Sequence, residues 1–115
     1  MKHVPQLLVK TVTIANGATA SDSTDISLFT LMGIEFPATM TGTGLTLTVS
    51  QDDSTYVTVY QGAGNVTITK QDGKLVLVSS TYKSLDGLGK YLKINSSGAE
   101  GAARTFKLYL APRSL

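Results

Sequence analysis

Side chains able to carry acid–base or nucleophilic chemistry are scarce in this 115-residue sequence. It has a single histidine, His3, and no cysteine. Thiol nucleophiles, disulfides, zinc centres and imidazole-based proton transfer therefore lack the residues they need. Serine and threonine are abundant, but a hydroxyl nucleophile needs an activating base, and no strained nucleophile turn or Ser-Lys arrangement accompanies them. Asp52-Asp53-Ser54 could offer oxygen ligands to a hard cation such as calcium. Adjacent carboxylates between two strands are the ordinary residues of a turn, however, and Asp22 and Asp25 read the same way. Thr41-Gly42-Thr43-Gly44 and Gly62-Ala63-Gly64 have the glycine content of phosphate loops but neither the strand-to-helix setting nor the Lys-Ser or Lys-Thr that binds phosphate, so they read as strand connectors. The expectation is a protein without catalytic machinery, metal or cofactor.

Binding chemistry is better represented. Tyr56, Tyr60, Tyr82, Tyr91 and Tyr109 could stack on sugar rings, which would make the chain a carbohydrate-binding module. With no tryptophan and the tyrosines spread over separate segments, packing at the rim of the fold is the plainer reading. The net charge of +2 hides a division: residues 11–69 hold five acidic and no basic residues, whereas residues 70–115 carry a net +5. Either the surface is bipolar and suited to head-to-tail contacts, or the strand order mixes the two halves in space. The lysines stand singly and without an aromatic-basic motif, so no nucleic-acid partner is expected.

Period-two alternation is the pattern that must position these residues. Sixteen threonines, with many Val and Ile, suit half-buried pleated strands and disfavour helix. Leu8, Val12 and Ile14 open a strand that ends at Asn16-Gly17. Ile26 and Leu28 lead into a strand with Met32, Ile34 and Phe36 on one side and Leu31, Gly33 and Glu35 on the other, stopped by Pro37. Leu45, Leu47 and Val49 alternate cleanly with threonines. Tyr56–Tyr60 and Asn65–Thr69 form two further strands, and Asp72-Gly73 predicts a type I′ hairpin between residues 65–70 and 74–79. Leu75–Val78 is apolar on both faces and should be central or covered. Residues 80–90 break the alternation around a short helical turn near Leu85 and Leu88. Leu92 and Ile94, then Phe106, Leu108 and Leu110, mark the last two strands. About eight short strands at ten-residue spacing predict an all-β fold, a single antiparallel β-sandwich of jelly-roll type, with no helix beyond about two turns.

The domain organisation follows: residues 1–10 an N-terminal arm leading into the first strand, 11–112 the sandwich, 113–115 a C-terminal tail. No secretory signal or membrane-spanning run of 18 apolar residues is read, so no membrane association is expected. Val4, Pro5, Leu7 and Leu8 form an apolar, proline-containing segment outside the regular alternation. The later strands already supply enough inward residues for one core, so this segment is expected to pack on a neighbouring molecule.

Two segments, LMGIEFPATMTGTGLTLTVSQDDSTYVTVY and YLKINSSGAEGAARTFKLYLAPR, carry a further pattern. Gly33-Ile34 and Pro37 end one strand; Ser50, Asp52 and Tyr56 mark the following hairpin; Leu92-Lys93-Ile94 is followed by a small-residue loop and by Arg104-Thr105 before the final strand. Over residues 31–112 the chain resembles small all-β virion proteins of tailed bacteriophages. The family pattern often has Gly after the acidic pair, where this chain has Asp53-Ser54. The resemblance implies a structural component of the virion, made in the host cytoplasm and joined to the particle. Its leading version is a capsid decoration or cement protein that contacts the major capsid protein or other virion subunits and works as a homo-oligomer. A tail, neck or fibre location, with glycan binding, is the alternative.

Overall fold

Alternation along the chain becomes alternation across two sheets. In the computed structural model, which describes residues 8–61, 64–65, 67–77 and 90–112, the chain forms β1 (Leu8–Ile14), β2 (Thr24–Asp25), β3 (Phe29–Glu35), β4 (Gly44–Ser50), β5 (Val57–Thr58), β6 (Tyr60–Gln61), β7 (Gly64–Asn65), β8 (Thr67–Thr69), β9 (Leu75–Leu77), β10 (Tyr91–Ser96) and β11 (Arg104–Pro112). Among these residues there is no helix. One sheet has the order β1-β11-β3-β9; the other runs β2-β10-β4-β5, with β8 also against β4; β6 and β7 form a small separate pair. Every pairing is antiparallel.

The pairs nest. β1 meets β11, β2 meets β10, β3 meets β9, and β4 meets β5 and β8. The chain is thus one long hairpin wound over two sheets, which is jelly-roll topology, and the expected all-β antiparallel sandwich is the fold. The predicted inward residues fill the space between the layers: Val12, Ile14, Ile34, Phe106, Leu108 and Leu110 from one sheet against Leu45, Leu47, Val49, Ile68, Leu92 and Ile94 from the other, all buried. Phe36 and Phe106 meet edge to face at 5.7 Å, a geometry that adds to area burial.

Four local expectations need correction. Asp72-Gly73 does not close a β8–β9 hairpin: β8 pairs with β4 and β9 with β3, in different sheets. Only Gly73 has positive φ there, whereas type I′ needs two such residues; the turn is a corner, held by the Gly73 N–H on the Pro37 carbonyl at 2.8 Å. Strand β9 is not covered but lies at a sheet edge, with Leu77 62% exposed. Leu31 points inward with Ile34, because the β3–β11 register slips between Tyr109 and Leu110 and Met32 becomes the extra residue of a bulge. The two strands expected over 56–60 and 65–69 are each divided, since the chain leaves the β4 ladder to make the β6–β7 pair. The short turn expected near Leu85 and Leu88 lies outside the described residues.

Candidate functional site

The most constrained polar centre is in the small-residue loop between β10 and β11. Glu100 is 1% exposed. Its carboxylate accepts the Thr41 N–H at 2.7 Å, the Gly42 N–H at 2.9 Å, the Ser96 hydroxyl at 2.7 Å and the Arg104 Nε–H at 3.0 Å. Its own carbonyl accepts the Gly17 N–H and its N–H donates to the Ala18 carbonyl. Burial by itself pushes this carboxyl up, but the bonds from Thr41, Ser96, Gly42 and Arg104 outweigh it and hold it down to about 2. The Thr41-Gly42 backbone therefore does cradle an anion, and the anion is the chain's own. Two bonds on each oxygen use the full accepting capacity of a carboxylate. Nothing is left for a substrate or a metal, and the group acts as a clamp joining three loops at one end of the sandwich.

The opposite end of β4 carries the acidic pair. Asp52 accepts the Ser50 hydroxyl at 2.8 Å and the Ser54 and Thr55 N–H groups at 2.9 Å each. The Thr55 and Ser54 N–H groups, ahead of the Ser50 hydroxyl, hold its carboxyl down to about 2. Asp53 adopts φ 60°, and the Tyr56 hydroxyl donates to its carboxylate. Both carboxylates are therefore engaged in shaping the turn. Among the described residues no three His, Cys, Asp or Glu side chains gather as a metal site. Beside the turn runs a groove of about 280 Å³ lined by Val49, Ser50, Gln51, Asp52, Thr55 and Val57; Asp52, its one charged group, is already turned to its own loop.

Among the described residues the tyrosines are divided between the two sheets, Tyr56 and Tyr91 within electrostatic reach of each other on one and Tyr109 on the other. Tyr56 lies under the Lys93 ammonium, 4.5 Å from the ring centroid. Tyr91 sits next to Lys90, 5.7 Å away. Tyr109 is on the other sheet, where its hydroxyl donates to Glu35 at 2.8 Å. Tyr60 belongs to β6, and Tyr82 lies outside the described residues.

What the surface does offer is apolar area on the outer side of the β1-β11-β3-β9 sheet. Register places Val9, Tyr109, Gly33 and Leu77 in one row and Thr11, Lys107, Glu35 and Leu75 in the next. Val9, Leu75 and Leu77 are exposed there; Leu28 between β2 and β3 and Val57 on β5 of the other sheet are exposed as well. Of the residues expected at an interface, Leu8 heads β1 opposite Leu110 and is exposed, while Val4, Pro5 and Leu7 lie outside the described residues. The exposed Leu75 and Leu77 escaped sequence reasoning because an apolar strand reads as buried; the Lys74 that precedes them was the available sign of an edge. Glu100 escaped because its loop has turn composition, though a lone acid among small residues, four places before an arginine, was a usable signal. No protein-family model matches this chain, and no curated protein matches it.

Proposed function

We propose that this protein is a non-enzymatic structural component of a tailed-bacteriophage virion, a capsid decoration protein that stabilises the head shell by contacts with capsid subunits and with its own copies. The observation that carries the reading is a division of labour on the molecule. The buried or turn-forming carboxylates, Glu100 and Asp52, are consumed by internal hydrogen bonds, while large apolar side chains, Leu8, Val9, Leu75 and Leu77, stand exposed on strands of one sheet. A rigid sandwich of that kind works through packing on other proteins. Its place is the virion, with Val4, Pro5, Leu7 and Leu8 contributing to the contact.

Mass spectrometry of purified virions tests this directly. Hundreds of copies per particle are expected; a handful would indicate a neck or tail piece, and absence would end the reading. Because a bound protein stabilises a lattice by mass action, particles stripped of it are expected to lose heat or osmotic resistance.

A further inference from the structure

The β1-β11-β3-β9 sheet ends on β1 at one side and β9 at the other, and among the described residues neither edge has a further strand against it. Unpaired edges recruit other strands unless they are covered or blunted. The direction of the backbone groups at each edge follows from the bonds already made. The Phe36 N–H donates to the Lys74 carbonyl and Val76 faces Ile34, so the N–H and C=O groups of Leu75 and Leu77 point away from the sheet. On β1, the Thr13 N–H donates to the Asp22 carboxylate at 2.7 Å and the Thr13 carbonyl accepts the Asp22 N–H at 3.2 Å. Thr13 therefore faces away from β11, and so do Thr11 and Val9.

The two edges fit one another. Ser21 bridges Ile14 and Asp22 bonds Thr13 at the end of the β1 edge, and among the described residues no strand lies against Val9–Thr11, three residues that match the three of β9. On both edges the outward backbone belongs to residues whose side chains project from the same outer face, Leu75 and Leu77 on one and Val9 and Thr11 on the other. Strand direction alternates across the sheet, so β9 lies antiparallel to β1 of a copy placed beside it.

We propose that copies of this chain associate head to tail, β9 of one pairing with β1 of the next, Leu77 opposite Val9 and Leu75 opposite Thr11. The outer row from Val9 through Tyr109 and Gly33 to Leu77 then continues into the next copy. Lys74, just before β9, arrives beside Asp22 of that copy, so a cation meets an anion at the end of the junction. Pairing of β9 with β9, Leu75 opposite Leu77, sets Lys74 opposite position 78 and away from Asp72, the acidic residue nearest in sequence, which already meets Lys70 at 3.4 Å. A heterologous contact of this type generates rings or filaments. Two three-residue edges cover less than the roughly 1,600 Å² of a standard interface, so the contact is weak in dilute solution and fills when copies are held close. That last step, crowding on a shell, rests on the decoration reading; the pairing itself does not.

The cysteine-free chain makes the test clean. A hydrogen-bonded antiparallel pair places Cα atoms about 5.5 Å apart, within disulfide range. Folded Val9→Cys and Leu77→Cys variants, verified by circular dichroism, are mixed and oxidised at high protein concentration. The expected result is a mixed disulfide dimer, with little cross-linking of either variant alone, and a ladder of covalent multimers from the double variant. A Val9→Cys plus Thr58→Cys mixture, which pairs opposite sheets, sets the background. A mixture no better than that background, or efficient self-cross-linking of Leu77→Cys, overturns the head-to-tail pairing. Virion content is measured separately: cross-links without virion copies overturn the decoration reading and leave the pairing standing, and virion copies without cross-links do the reverse.

Discussion

Glu100 shows how much one side chain can organise. Four donors from three parts of the chain converge on a carboxylate that is shielded from water, and removing it strands all of them. Glu100→Ala is expected to cost about 3–5 kcal/mol, since the buried Gly42 N–H and Ser96 hydroxyl are left without an acceptor and the part-buried Arg104 without its counter-charge. Glu100→Gln keeps the shape but turns an NH₂ toward N–H donors, and is expected to cost about 1–3 kcal/mol. Urea midpoints at unchanged slope read both values. The same group sets the acid limit of the fold. Its carboxyl sits at about 2 in the folded protein against an ordinary 4.5, so between these values the unfolded chain binds the proton more readily and stability rises with pH. The contribution is complete above about pH 4.5 and is lost as pH falls toward about 2; Asp52 acts in the same direction. Denaturation midpoints measured from neutral pH down through this window are expected to fall for the wild type and to fall less steeply for Glu100→Gln. Residue types showed a chain with no thiol and a single imidazole, because composition needs no geometry. They showed Glu100 only as a lone acid four places before Arg104; two of its four partners, the Thr41 and Gly42 N–H groups, lie 59 and 58 residues away and come from the fold.

At the scale of elements, alternation is local and therefore legible, whereas pairing is not. Leu45, Leu47 and Val49 on β4, and Phe106, Leu108 and Leu110 on β11, face the core as the period of two requires. The Met32 bulge and the corner at residues 70–74 depend on which strand lies alongside, and nothing in their own residues specifies it. Backbone approach makes a testable instance of the same point. A Cβ on Gly44 would come within 2.9 Å of the Ile68 carbonyl oxygen across the β4–β8 ladder, while one on Gly98 meets nothing within 4 Å. Gly44→Ala is therefore expected to lose about 1–3 kcal/mol as the ladder shifts. Gly98→Ala is expected to leave the thermal midpoint nearly unchanged, and comparing the two by calorimetry separates close approach from the general effect of replacing glycine.

On the scale of the whole molecule, nesting explains what became of the charge division and frames a test of the N-terminal segment. The jelly roll pairs strands of the first half with strands of the second, so the acidic and basic halves interleave: Glu35 meets Lys107 at 3.9 Å on one sheet, and Asp53 is held low first by the Tyr56 hydroxyl and further by Lys93 from the other half. The polarity written along the sequence is thus largely mixed in space, which leaves little bipolar field to steer a partner. The inward residues of β1 that seal the core are Val12 and Ile14, both buried, whereas Leu8 is exposed at the strand's start. Among the described residues, removing residues 1–8 takes away a single register pair, Leu8 with Leu110, and leaves the pairs from Val9 to Ile14 in place. The truncated chain is expected to fold, with β-sheet circular dichroism and a cooperative thermal transition, but to bind depleted virions with markedly reduced occupancy. Each leucine-sized anchor that is lost removes about 1.5–3 kcal/mol of burial at a contact where it is fully enclosed. Full occupancy by the truncated chain would show that Val4, Pro5, Leu7 and Leu8 take no part in docking, and loss of the sheet signal would assign them to the sandwich itself.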